Sequence, residues 1–299
     1  MYRRRLVCWH AMRGPIVIIG RPRSGSRVLC RLLQANGVFM GADLYPEFLD
    51  SVSWYQRFVV PIVTAPGFPE TPFVSLGPGM SALVEERLND TLPRYWGAAD
   101  RSQPWGWKYC ETLFLVPLVK SLFPAARFVH IVRDARAVCL SNRGYFQLTQ
   151  GDPPRDWNPA SNGCRPPSFV DFCAVVTFGK SGVAQWRGLD IESPATLTGH
   201  RFQIQAQSWV TCVTRARAYG EFLPNDYYEI RFEDLCRDPI GKAKELFTWL
   251  DLPFHRSPDL VAARMQSWRN APLSLRERRD LENATDLAAP LLRLLDYPL

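Results

Sequence analysis

The chain has 299 residues, 46% of them apolar, and sets 36 Lys and Arg against 29 Asp and Glu, a net charge of +7. That is enough apolar chain for one α/β domain with a large core. The basic excess is moderate and forms no dense block, which suits an anionic small ligand and excludes nucleic acid as the expected partner.

Taken from the N-terminus, Arg3, Arg4 and Arg5 read as a short basic start, and Leu6 to Trp9 is too short an apolar stretch for a signal peptide. No run of about 18 apolar residues follows anywhere, so no membrane span is expected. Pro15 to Ile19 is an apolar run of strand length, ended by Gly20, and Val28, Leu29, Leu32 and Leu33 then recur at helical spacing. Between them lie Arg21, Arg23, Ser24, Gly25, Ser26 and Arg27. A loop that ends a strand and opens a helix gathers free backbone N–H groups at the positive end of the helix dipole. Hydroxyls and guanidinium groups there complete a cradle for phosphate. The alternative is an ordinary strand–turn–helix whose Arg side chains are solvated. Gly20 and Gly25 have the spacing of a Walker A loop, GxxxxGK[ST]. Ser26 stands where its Lys belongs and Arg27 where its metal-binding hydroxyl belongs, which argues against metal-assisted phosphoryl transfer.

After the first helix, GVFMGADLYPEFLDS offers three acids, Asp43, Glu47 and Asp50. Aromatic residues gather around Trp54, Tyr55, Trp105 and Trp107, either in a site for a sugar, a lipid headgroup or a phenol, or in the core. Phe128 to Val132 is a strand by length and β-branching, and His130 within it reads as a satisfied core histidine. Arg133 and Asp134 stand at its C-terminal end, where ligands bind in open α/β sheets. Asp134 is the expected N-cap of a helix running from Ala135 to Leu140. Arg133 at the strand end and Ser141 on the helix can then reach one phosphate. The turn-rich segment from Gly151 to Pro167, with Phe169 to Gln185, is either a substrate-binding lid or a plain surface insertion.

The eight Cys are scattered with no CxxC pair, and only four His occur, so neither a zinc site nor a disulfide framework is expected. Cys30 and Cys139 fall in predicted helices as small apolar groups.

The string RPRSGSR resembles the 5′-phosphosulfate loop of the sulfotransferases, commonly PRSGTT in bacteria. Pro22, Arg23, Ser24 and Gly25 match it, Ser26 is a conservative change, and Arg27 departs from the second Thr. Arg133, Asp134, Arg136, Val138 and Ser141 match the family's 3′-phosphate motif, R-D-x-R-x-V-x-x-S. The stretch GWKYCETLFLVPLVKSLFPAARFVHIVRD is similar to the family's passage from Trp-Gly-x-Lys through a helix into the second strand. YYEIRFEDLCRDP at 227–239 resembles its strand ending in R-[YF]-E-D-L, followed by a helix from Lys242 to Leu250 and a final helix to Leu295. The likeness is thin between Tyr55 and Gln103 and between Thr149 and Arg201.

The resemblance implies a P-loop-like parallel sheet flanked by helices, in one sulfotransferase domain. Within it, 14–148 would be the nucleotide core, 149–200 an acceptor-side insertion, and 201–299 C-terminal helices and a strand. It implies 3′-phosphoadenosine-5′-phosphosulfate (PAPS) as co-substrate, no metal, and a cytoplasmic bacterial enzyme acting on a hydroxyl or amine of a small-molecule, glycan or lipid acceptor. Arg23 would be the catalytic cation. Arg21, Ser24, Gly25, Ser26 and Arg27 would cradle the 5′-phosphate, and Arg133 and Ser141 the 3′-phosphate. Arg136 has the alternative of a surface ion pair. Lys108 would contact the sulfuryl group or hold the acceptor site, or else pair with Glu111 or another acid. Glu47, and after it Asp50, would be the general base, with a helix cap or a solvated acid as the alternative. Arg269, in a Ser-Trp-Arg segment, would touch a phosphate. Trp209 would pack in the core, and Arg231 and Glu233 would brace the sheet. The competing readings are a P-loop nucleotide kinase and a catalytically inactive nucleotide- or glycan-binding protein.

Overall fold

The computed structural model describes residues 14–46, 49–63, 65, 78–141, 201–255 and 272–299. In chain order they form β1 (Ile16–Gly20), α1 (Ser26–Ala35), a π-helix (Ser53–Val59) that continues as α2 (Val60–Val63), α3 (Pro78–Trp96), β2 (Gly106–Lys108), a 3₁₀ helix (Cys110–Leu115) leading into α4 (Val116–Leu122), β3 (Arg127–Val132), α5 (Ala135–Ser141), α6 (Arg201–Phe222), β4 (Tyr227–Arg231), α7 (Phe232–Arg237), α8 (Pro239–Trp249) and α9 (Leu275–Leu294). They fall into two compact units. The first takes the described residues within Met1–Gly20, Gly25–Val132 and Ala216–Ala262, the second those within Arg21–Ser24, Arg133–Arg215 and Ala263–Leu299.

The first unit holds a four-stranded sheet in the order β2-β1-β3-β4, parallel throughout. β1 is buried over its whole length, as a central parallel strand covered on both faces must be, and this is why it reads as an unbroken apolar run. Leu29, Leu32 and Leu33 of α1 share one core cluster with Ile16, Ile18, Val129 and Ile131 of the strands and Leu246 and Phe247 of α8. A second apolar mass is aromatic: Trp54, Trp105, Trp107, Tyr95 and Trp96 are all buried, and the Trp54 and Trp107 rings stack 3.8 Å apart. Of the aromatic residues considered for an acceptor site, Trp54, Trp105 and Trp107 are therefore core. Tyr55 is half-buried, its ring 4.8 Å from that of Tyr109.

The π-helix is unusual, since such turns occur mostly as single bulges. Asp43 caps its start, accepting from the Ser53 N–H at 2.6 Å and the Ser51 hydroxyl at 2.9 Å, so this acid serves structure. His130 is fully buried, with Nδ1 2.7 Å from the Tyr227 hydroxyl and 3.2 Å from Glu229 Oε2. His130 is thus the core residue expected, but satisfied at Nδ1 only, since Nε2 has no hydrogen-bond partner among the described residues.

The second unit packs α5 against α9 and the first part of α6, through Cys139, Leu140, Phe202, Ala206 and Ala284. Asp280 on α9 is buried and ties down the start of α6, accepting from the Phe202 N–H at 2.9 Å and from Gln203 Nε2 at 3.1 Å. Ser274 and Glu277 close a capping box at the start of α9. Among the described residues no helix is long and apolar enough to cross a membrane.

Candidate active site

β1 ends at Gly20, and the chain turns through Arg21 to Gly25 into α1. The Ser24 N–H donates to the Arg21 carbonyl at 3.2 Å and closes the turn. Arg23 takes φ 76°, a left-handed conformation that is uncommon away from glycine and that concentrates at functional sites. Gly25 follows at φ 102°, where a Cβ would stand only 2.2 Å from Cδ2 of Phe232, so a glycine is required there. Gly25 is also the N-cap of α1 and brings no side chain to cap the helix start. The Val28 N–H donates to the Gly25 carbonyl at 2.9 Å, and the remaining N–H groups of such a helix start suit a bound anion. Ser24 is fully buried, and its Oγ has no hydrogen-bond partner among the described residues. A buried hydroxyl without a partner calls for an explanation, and a ligand oxygen supplies one.

In the second unit, Arg133 directly follows β3 and donates from Nη1 to the Arg23 carbonyl at 3.1 Å. The Arg133 carbonyl in turn accepts from Trp209 Nε1 at 2.9 Å. Trp209 is a core residue, as expected, but its indole N–H also fixes the backbone at the end of β3. The sequence carries one hint of this, since a buried Trp N–H usually finds a partner. Asp134 is the helix cap, accepting from the Arg136 N–H at 2.9 Å. It also holds the Arg136 guanidinium at 2.9 and 2.7 Å, and Arg136 reaches the Pro298 carbonyl at 2.5 Å. The ion-pair alternative for Arg136 is the one realised. Ser141 is the last residue of α5 and is exposed. Arg21 is buried, and its Nη2 donates to Gln205 Oε1 at 2.5 Å.

In the first unit, Lys108 ends β2 and is 3% exposed. It pairs with Asp50, so two of the sequence candidates come together and the acid partner of Lys108 is Asp50 rather than Glu111. Asp50 is placed by a short antiparallel bridge between Leu44 and Ser51 and by the Tyr45 N–H, which donates to its carbonyl at 2.8 Å. Burial works against the Lys108 charge, but the Asp50 carboxylate and the neighbouring Cys110 raise its pKa above the ordinary value. Burial raises the Asp50 pKa despite the opposing pull of Lys108, which makes the carboxylate the more basic. Ser26, the first residue of α1, accepts from the Cys110 thiol at 3.4 Å. Burial pushes the Cys110 pKa up to about 12, so the thiol remains a donor and the Ser26 hydrogen is left for another acceptor. Arg27 is exposed. Glu47, Arg269 and the lid segment lie outside the described residues.

Against models of known families, residues 15–164 match the sulfotransferase family. The chain belongs to the sulfotransferase family. That match begins before β1, runs through both phosphate motifs, and takes in Asp50 and Lys108. Among solved structures, the chain is similar to a sulfotransferase from Alicyclobacillus acidocaldarius at 15% identity and TM-score 0.48, over 96% of this chain and 97% of that one. It is also similar to a sulfotransferase domain from the curacin biosynthetic pathway, at 14% identity and TM-score 0.49, over 96% and 98% of the two chains. A third is the sulfotransferase domain of the Synechococcus PCC 7002 olefin synthase, at 16% identity and TM-score 0.48, over 97% and 98%. No curated protein matches. Sequence reasoning about this sulfotransferase missed Gln205 and Cys110. Each acts on a loop residue far away in the chain, and neither lies at an informative position of a phosphate motif.

Proposed function

We propose that this sulfotransferase draws its sulfuryl group from PAPS and passes it, without a metal, to a hydroxyl or amine of a small-molecule, glycan or lipid acceptor. The observation that best supports the reading is the bond from Arg133 to the Arg23 carbonyl. It ties the residue assigned to the 3′-phosphate to the backbone of the residue assigned to the sulfuryl end. PAPS, when bound, supplies a sulfuryl group on a phosphate leaving group. The buried Ser24 hydroxyl and the uncapped start of α1 fit such an anion.

In this reading Ser24, Gly25, Ser26 and Arg27, with Arg21, hold the 5′-phosphate, Arg133 and Ser141 hold the 3′-phosphate, and Arg269 contacts a phosphate. Arg23 is assigned to the charge that builds on the bridging oxygen, and Lys108 to the sulfuryl group or the acceptor. A carboxylate takes the acceptor proton. Glu47 and Asp50 are the two candidates. Burial has already raised the basicity of Asp50, and Lys108 remains beside it as the cation when the proton arrives.

The test is release of adenosine 3′,5′-bisphosphate from PAPS across a panel of acceptors, with EDTA present. Turnover should be indifferent to EDTA and should fall about 100-fold or more in Arg23→Ala. A requirement for Mg²⁺, or full activity in Arg23→Ala, would overturn the proposal.

A further inference from the structure

The buried guanidinium of Arg21 has a neutral partner. Its Nη2 donates to Gln205, its Nε has no partner, and no carboxylate pairs with it among the described residues. Among the described residues of the same unit, the two buried carboxylates are engaged elsewhere, Asp134 with Arg136 and Asp280 with the start of α6. A buried cation without a counter-charge is costly, and a carboxylate is the usual remedy. An amide oxygen does something different: it orients the guanidinium and leaves its charge whole. Two hydroxyls near these residues in the chain are fully buried with Oγ unpartnered among the described residues, Ser208 one helical turn beyond Gln205 and Ser24 in the loop. Trp209, on the same face of α6 as Gln205, holds the Arg133 carbonyl. This face of α6 therefore supports residues from both phosphate motifs.

We propose that Gln205 is a positioning residue of the nucleotide site, which orients Arg21 toward an anionic ligand without neutralising it. The inference rests on the nucleotide reading above. A purely structural Gln205 and a positioning one make opposite predictions for Gln205→Glu. This change is nearly isosteric and offers Arg21 a charge-assisted bond. If the contact merely stabilised the fold, the variant would be at least as stable as the parent and bind nucleotide as well. If Gln205 preserves the Arg21 charge, the new carboxylate cancels it.

The experiment is calorimetric titration of the full-length protein with adenosine 3′,5′-bisphosphate and with AMP, together with Tm, for the parent, Gln205→Glu and Gln205→Met. The expected result is a Gln205→Glu protein that melts no lower than the parent. It should bind both the bisphosphate and AMP at least about tenfold more weakly, because both carry the 5′-phosphate assigned to Arg21. Gln205→Met, which removes the orienting oxygen but adds no charge, should show an intermediate loss for both. If Gln205→Glu melts lower, the Gln205→Met affinity decides instead. Unchanged affinity for both ligands in both variants, or a loss confined to the bisphosphate, would overturn the inference. Failure of the parent protein to bind the bisphosphate would overturn the nucleotide reading itself.

Discussion

Lys108→Met is expected to destabilise the protein by about 3 kcal/mol, because it leaves the Asp50 carboxylate in a largely desolvated place without its cation. The side chain of Lys108 is 4% exposed and that of Asp50 25%, so water compensates part of the loss at Asp50 but would do little for Lys108 if Asp50 were removed. Asp50→Asn should therefore cost at least as much as Lys108→Met. The double variant should cost clearly less than the two singles combined, since neither charge is then left alone. Denaturant unfolding of the four proteins measures this coupling. Additive losses would mean that the two charges do not depend on each other. At a temperature where all four are folded, sulfuryl transfer by Lys108→Met should still fall by about 100-fold or more, the loss expected when a cation facing developing charge is removed.

Gly25→Ala should have the second large effect. The new methyl group would meet both Cδ2 and Cε2 of Phe232, at 2.2 and 2.7 Å, and the backbone would keep a φ of 102° that an L side chain rarely adopts. Together these should cost about 3 kcal/mol, a fall in Tm of roughly 6 °C or more. The two causes separate in a Phe232→Ala background. There the methyl group has room, so adding Gly25→Ala should cost less than it does in the parent, leaving only the backbone strain. Equal costs in both backgrounds would show that the Phe232 ring does not confine the loop. The loop carries Arg23 and Ser24, so nucleotide affinity should drop further than stability alone explains.

The parts of the molecule legible in the sequence are those written locally. β1 and Gly20 stand where an apolar run met a glycine, while α1 begins at Ser26, so that Ser26 and Arg27, expected in the loop, form the first turn of the helix. Asp134 caps α5 as its place before the helix suggested. β4 falls within the 227–239 stretch, and α8 starts a few residues earlier than expected, at Pro239, because Asp238 caps it and proline suits a first helical position. β2 has no strand signal in the sequence, since three residues carry no periodicity; pairing with β1 makes Gly106–Lys108 a strand. The π-helix has no sequence signature beyond an ordinary helical run. The charge pair of Asp50 and Lys108 joins residues 58 apart, and Arg21 and Gln205 are 184 apart. Contacts of that kind follow from the packing of α6 and from the Leu44–Ser51 bridge, and neither can be read from spacing along one segment. The aromatic clusters were equally ambiguous in sequence, because a buried tryptophan and a ligand-stacking one look the same until their surroundings are known.

The central claim is a metal-independent site for a nucleotide bearing both 3′- and 5′-phosphate groups. Calorimetric titration of the EDTA-treated protein with adenosine 3′,5′-bisphosphate, beside AMP and Mg·ATP, tests it most directly, with Arg133→Ala as the control. Saturable binding of the bisphosphate without metal is expected, with a loss of about tenfold or more when the 3′-phosphate is absent and a similar loss in Arg133→Ala. Equal affinity for AMP, or a preference for Mg·ATP, would contradict it.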